Sequence, residues 1–271
     1  MRPKASVIQM TSCPDVEKNL KTAEDLIVKA AKAGSQLVVL PEMFPIMGDE
    51  ANKKLFISET YGSGLIQDFL KTQAVHNKTW IVGGTIPIKA NNSNLIRSAC
   101  IVYNDLGEAV ARYDKVHLFD VCVVPGVEEY RESATVEPGD TITVLDTPIG
   151  RLGLCVCYDL RFPMLFQQFI NRGVEVIAVP TAFTVKTGMA HWEILARARS
   201  IDTLSYGLFS CQTGNHAPGR ATYGHSLITN PWGEIIVSLD TEPGVITAEI
   251  DPEFTRKIRK DLPIFDHQRM F

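Results

Sequence analysis

The sequence predicts an α/β fold, a four-layer αββα sandwich in which two mixed β-sheets stack between outer helical layers. Three observations carry that expectation. Apolar strand-length runs alternate with amphipathic helical stretches early in the chain, the pattern of parallel strands joined by helices. Turn-separated strand pairs also occur, so the sheets should be mixed. There are more strand-like runs than one sheet holds comfortably, and no Pro/Gly/Ser-rich linker or repeat divides them. The 271 residues are therefore expected to form a single domain spanning 1–271.

Residues 4–10 read as the first strand. Pro14-Asp15 opens a helix that places Leu20, Ala23, Leu26, Ile27, Ala30 and Ala31 on one face and stops at Gly34. Residues 36–40 are continuously apolar, as in a strand covered on both sides, and run into Pro41-Glu42. A helix over 64–76 and a strand over 80–86 follow. Residues 94–103 and 108–113 form a hairpin about Asn104-Asp105-Leu106-Gly107, and 114–140 read as mostly irregular. Strands are expected at 141–145 and 151–156, a helix over 162–171 and a strand over 174–179. An amphipathic helix covers 192–205, its apolar stripe suited to the sheet or to a second copy of the chain. Strands at 206–212, 226–229, 235–238 and 245–250 and a short terminal helix complete the pattern.

Composition narrows the function classes. A formal charge of -4 and scattered basic residues give no pull toward nucleic acid or anionic membrane. No run of about 18 apolar residues exists to span a bilayer. Six cysteines sit mostly in apolar, strand-like surroundings without a secretory leader, which favours reduced thiols and a cytoplasmic location. No paired-Cys zinc spacing, His-Glu-x-x-His or glycine-rich phosphate loop is present, so neither a metal nor an organic cofactor is expected.

The chemistry concentrates at strand ends. Cys157 ends an apolar strand just before a helix, where a nucleophile is held rigidly and helix-start amides lower a thiol pKa and bind an oxyanion. Taken alone, it reads more readily as one more packed cysteine, the role expected of Cys155. Glu42 ends the buried run 37–40, the position at which open α/β sheets place ligand chemistry, and apolar Met43 and Phe44 suit it to act as a base. Lys115 lies in a hydrophobic segment and needs acidic partners, for which Glu42 and Glu132 are the candidates.

In combination these residues form a pattern. Leu40-Pro41-Glu42, Tyr113-Asp114-Lys115-Val116-His117-Leu118-Phe119, Arg131-Glu132-Ser133 with Pro138-Gly139-Asp140, and Cys157-Tyr158-Asp159-Leu160-Arg161-Phe162-Pro163 occur in order. Thr187-Gly188, His191-Trp192-Glu193, Tyr223-Gly224-His225 and Asn230-Pro231-Trp232-Gly233-Glu234 follow. Over nearly its whole length the chain resembles the nitrilase superfamily of carbon–nitrogen hydrolases. The resemblance implies a Glu42–Lys115–Cys157 triad, with Glu132 as a further acid that positions the lysine. It also implies a thioester mechanism without cofactor, and protomers that pair as a homodimer. Cys-Tyr-Asp-x-Arg-Phe is similar to the amidase branch rather than to true nitrilases. The remaining motifs resemble both omega-amidases and deaminated-glutathione amidases, whose small-molecule amide substrates carry a carboxylate. Tyr158, Arg161, His191 and Thr181 are the expected substrate contacts, with Arg131 and Arg220 as further cations and Asp159 as a rival partner for Arg161. His117, His191 and His225 are expected as hydrogen-bonding supports, and Trp192 and Trp232 as packing residues. Two departures bear on specificity: Met164 replaces an acid found in many relatives, and 121–130 is longer and more apolar than usual. A non-catalytic scaffold is disfavoured because every triad member is present. A redox Cys155–Cys157 pair is disfavoured because C-x-C lies along a strand.

Overall fold

Alternation of small and branched apolar residues organises the first half of the chain. The computed structural model describes residues 2–48, 51–91, 94–217 and 219–269. Strand β1 (Lys4–Gln9) leads into α1 (Val16–Lys32), whose Asp15 side chain caps the helix by accepting the Lys18 N–H. Gly34 adopts a φ of 87° just beyond the helix end. β2 (Leu37–Val39), α2 (Ala51–Phe56), α3 (Leu65–Asn77), β3 (Trp80–Val82), β4 (Ile86–Lys89), β5 (Ile96–Tyr103) and β6 (Ala109–Asp114) follow. These strands and the last of the chain, β17 (Gly244–Glu249), form a sheet in which β17, β1, β2, β3, β5 and β4 are successive neighbours and β6 pairs with β5. β1, β2 and β3 run parallel, and the pairings to β17 and β5 are antiparallel. The period of two then sorts the side chains. Ala5, Val7, Leu37 and Val39 face the second sheet, whereas Ile8, Val38, Leu40 and Ile81 pack beneath α1 and α3.

The second half repeats the scheme. β7 (Asp120–Val124) and β8 (Glu128–Arg131) form a separate ribbon, and β9 (Val144–Thr147) and β10 (Gly150–Leu154) enter the second sheet. A five-residue 3-10 turn over Cys157–Arg161 precedes α4 (Pro163–Asn171), β11 (Val176–Thr181), α5 (Val185–Thr203) and β12 (Tyr206–Cys211). β13 (Thr213–His216) and β14 (Arg220–Tyr223) make a second ribbon; β15 (Leu227–Thr229), β16 (Ile235–Ser238), β17 (Gly244–Glu249) and α6 (Pro252–Asp261) end the chain. The second sheet runs β16-β15-β12-β11-β10-β9, with β10, β11 and β12 parallel. It lies against the first through Leu152, Leu154, Val176, Ala178 and Leu208. The backbones join where the Thr213 N–H donates to the Met10 carbonyl at 2.8 Å. The expected α/β fold with two mixed sheets is thus present.

Several expectations change. The segment expected to be irregular contains the β7–β8 ribbon. The strand expected over 80–86 breaks at Gly83-Gly84, because Gly84 turns with a φ of 57°. A side chain at Gly84 would collide with the Pro41 carbonyl, so the glycine lets this strand end approach the chain just before Glu42. Gly84→Ala is therefore expected to displace Pro41–Glu42 and to destabilise the fold by roughly 2–4 kcal/mol, read as a lower midpoint in urea unfolding. An unchanged midpoint would show that the turn tolerates the side chain. α5 begins earlier than expected; it buries Trp192 and Ala196 and leaves Met189, Ile194 and Ile201 exposed. Trp232, expected to pack, is 56% exposed. Among the described residues no helix is long and apolar enough to cross a membrane.

Candidate active site

The carboxyl ends of parallel strands from both sheets converge on one cavity. Glu42 follows β2, Cys157 follows β10, and Ala182 and Phe183 follow β11, while Lys115 lies just beyond β6. The cavity has a volume of about 410 Å³. Three backbone bends aim its walls. Cys157 has a φ of 46°, Met43 next to Glu42 has 57°, and Gly84 abuts Pro41. A left-handed conformation at a residue with a Cβ costs on the order of 1–3 kcal/mol and persists only where its surroundings hold it. At Cys157 the hold is Asp159, which is wholly buried and accepts the Val156 N–H at 2.8 Å and the Tyr113 hydroxyl at 2.7 Å. It also receives the His117 N–H at 3.1 Å and bonds His117 Nδ1 at 2.6 Å. The His117 ring stacks on Phe162 at 3.6 Å, which ties the Lys115 loop to the Cys157 turn.

Lys115 is buried between two carboxylates. Its Nζ lies 2.8 Å from Glu42 Oε1, and 2.8 and 3.1 Å from the two oxygens of Glu132. Burial works against the ammonium, but Glu132 and Glu42 together raise Lys115 well above its ordinary pKa. For Glu132, burial pushes upward, and Lys115 with the Phe119 N–H holds it below the usual carboxylate value. The lysine backbone is equally fixed: its N–H donates to the Ser98 carbonyl at 3.0 Å, and its own carbonyl accepts the Gly139 N–H at 2.8 Å. A side chain at Gly139 would strike the Asp114 backbone, which accounts for the glycine in Pro138-Gly139-Asp140. Gln212 holds the Glu42 backbone by donating to its carbonyl at 3.1 Å.

Cys157 is buried against Glu42, and the Ala182 N–H points at its sulfur. Desolvation and then the Glu42 carboxylate raise the thiol well above its ordinary value, although Lys115 pulls the other way. The sequence-based expectation of a thiol lowered by helix-start amides is thereby reversed. The element after Cys157 is only a short 3-10 turn, and an acid occupies the space beside the sulfur. Cys155 is also buried and raised, first by desolvation, and stands apart from the cavity lining.

Of the expected substrate contacts, Tyr158 and Arg161 line the cavity. Arg161 does not pair with Asp159, which Tyr113 and His117 occupy. Its guanidinium reaches His191 Nδ1 at 3.3 Å and lies 5.5 Å from the centre of the Phe183 ring. His191 thus supports Arg161 from outside and does not line the cavity. Thr181 is a correction. β11 runs on to include it, in register with Cys211, and its hydroxyl donates to the Ser210 carbonyl at 3.0 Å inside the sheet. His225 bonds the Tyr223 carbonyl through Nδ1 at 2.7 Å, and Gly188 lies directly under the Tyr223 ring. Met164 is 60% exposed at the start of α4, and the β7–β8 ribbon borders the cavity through Val127 and Tyr130. Lys54 and Met43, neither expected from the sequence as a substrate contact, also line it. Lys54 follows a stretch without apolar periodicity, so nothing in its neighbourhood marked it.

The carbon–nitrogen hydrolase family model matches residues 4–260. The chain belongs to that family. Among similar proteins, the deaminated glutathione amidase of Yersinia enterocolitica is 38% identical over 265 residues, covering 97% of this chain and 92% of its own. The human deaminated glutathione amidase is 36% identical over 271 residues, covering 98% and 82%. Among solved structures, Saccharomyces cerevisiae Nit3, a member of branch 10 of the nitrilase superfamily, superposes with a TM-score of 0.89 at 31% identity. That match covers 99% of this chain and 97% of Nit3. The Caenorhabditis elegans NitFhit protein matches with a TM-score of 0.92 at 34% identity, and the chain spans 65% of its length. As a carbon–nitrogen hydrolase with amidases as relatives, the protein is a hydrolase acting on amides.

Proposed function

We propose that this carbon–nitrogen hydrolase cleaves the amide of a small 2-oxo-carboxylate, with deaminated glutathione as the leading substrate, through a thioester on Cys157. The observation that carries the proposal is the placement of Cys157 against Glu42, which Lys115 clamps at 2.8 Å in the wall of a cavity that Arg161 also lines. Because burial and Glu42 keep the resting thiol protonated, proton removal accompanies attack. Glu42 takes the proton as Sγ bonds to the amide carbon. The oxyanion that forms is held by the Lys115 ammonium and the Tyr158 N–H. Glu42 returns the proton to the leaving nitrogen, the C–N bond breaks, and the acyl group stays on Cys157. A water that gives its proton to Glu42 then attacks the thioester, and the thiol is restored as the acid departs. Glu132 holds Lys115 in place throughout.

Arg161 supplies the cation for the acyl-side carboxylate, and His191 steadies it from behind. A panel of deaminated glutathione, 2-oxoglutaramate, succinamate and a simple nitrile tests the proposal by product release. Hydrolysis of the first two is expected, with the nitrile inert; turnover of the nitrile alone would refute amide chemistry. Arg161→Gln is expected to raise KM for 2-oxoglutaramate by roughly 10–100-fold, the worth of a charge-assisted contact. An unchanged KM would remove Arg161 from the site.

A further inference from the structure

A second pair of cations occupies the Met43 side of the cavity. Lys54 Nζ lies 3.7 Å from Met43 Sδ, and Arg220 Nη1 lies 4.0 Å from the same sulfur. Arg220 sits 5.2 Å from the centre of the Tyr130 ring, and its buried Nε has no hydrogen-bond partner. Among the described residues neither cation forms an ion pair. The acids whose charges act on Lys54, Glu132 and Glu42, are both engaged by Lys115. At the cavity mouth, Glu128 accepts the Tyr130 hydroxyl at 2.9 Å and Glu129 the Gly126 N–H at 3.1 Å. Two like charges thus converge on a thioether, a weak acceptor, with a buried donor left unused. Burial, and then Arg220, bring Lys54 down to about 8, a cost that a bound anion between the two would relieve.

The position of the pair indicates which part of a ligand it meets. The pair touches Met43, the residue after Glu42, and Glu42 is the group proposed to protonate the leaving nitrogen; that adjacency assigns the pair to the leaving amine. Arg161 follows Cys157 and the Tyr158 amide, on the acyl side. We propose that Lys54 and Arg220 form a second anion subsite that binds a carboxylate carried by the leaving amine. The pair thereby reads the amine half of the substrate proposed above, an amine that ends in a carboxylate of its own as a short peptide does. A cavity of about 410 Å³ admits a ligand of that size. This inference rests on the amidase reading above and narrows it.

The test compares deaminated glutathione with its counterpart in which the terminal carboxylate is a carboxamide, the acyl group being identical. The wild-type enzyme is expected to favour the carboxylate form in kcat/KM by roughly 10–100-fold. In Lys54→Met and Arg220→Gln that ratio is expected to fall toward one, whereas Arg220→Lys keeps part of it. The ratio is internal to each protein, so a general loss of activity or stability does not imitate the result. A wild-type ratio near one, or variants that preserve the wild-type preference, would overturn the subsite. If 2-oxoglutaramate is hydrolysed while the two larger amides are treated alike, the subsite fails and the amidase reading stands. If none of the amides is hydrolysed, the amidase reading itself fails.

Discussion

Cys157→Ala is expected to lower kcat for amide hydrolysis by roughly 10⁶-fold, the scale on which removal of a covalent nucleophile acts elsewhere. The loss should be in chemistry rather than in folding. Cys157 is held in a left-handed conformation by Asp159 and its partners, and those bonds do not involve the thiol. The thermal midpoint should therefore shift by only a few degrees, as for loss of one small buried group. Cys155→Ala is the matched control. Its thiol is as deeply buried but lies off the cavity, so about 1–2 kcal/mol of stability should be lost while kcat is retained. Steady-state kinetics and thermal melts on the two variants check both halves. An inactive Cys155→Ala beside an active Cys157→Ala would reverse the assignment.

Lys115→Met has the second large effect, and here stability and activity fall together. The lysine is the shared partner of Glu42 and Glu132. Removing it leaves two largely buried carboxylates without their cation, and breaking a buried pair in this way costs about 3–5 kcal/mol. For a chain of this size that corresponds to a midpoint lower by roughly 6–20 °C. Activity should fall by a further factor of about 10²–10³ per molecule that remains folded, because the oxyanion loses its charged partner. The pH dependence supplies a sign. Glu132 is held below its ordinary value by Lys115, so it contributes stability above the usual carboxylate range and loses it as the pH falls. Without Lys115, burial is left to push Glu132 toward its protonated form, and acid should relieve the defect. The stability gap between wild type and variant is thus expected to narrow as the pH drops toward 4.5, the ordinary glutamate value. A gap that stays constant with pH would mean that the carboxylates are not what the variant strains.

Much of this arrangement is legible in the sequence, and the reasons differ by element. β1, α1 and the β5–β6 hairpin follow from apolar periodicity and turn residues, because their side chains must choose between core and solvent. The β7–β8 ribbon pairs only with itself and carries half-exposed residues, so no alternation marks it. Thr181 was misplaced for a related reason: β11 continues through Pro180, and a proline inside a strand reads as its end. Glu42, Lys115, Glu132 and Cys157 are each unremarkable alone, and their order along the chain is what singles them out. The direction of the Cys157 shift was not legible, since it depends on Glu42 lying against the sulfur, a contact between residues far apart in sequence. The Lys54–Arg220 pair likewise exists only once α2 and β14 meet at Met43.

The claim that one acyl group passes through Cys157 is tested most directly by partitioning. Deaminated glutathione and 2-oxoglutaramate share an acyl group and differ in the amine released. With hydroxylamine present, each should give acid and hydroxamate in the same ratio, because both arrive at one thioester before water or hydroxylamine attacks it. Cys157→Ala should give neither product. Ratios that differ between the two substrates, or hydroxamate formed by Cys157→Ala, would contradict a common intermediate on this cysteine.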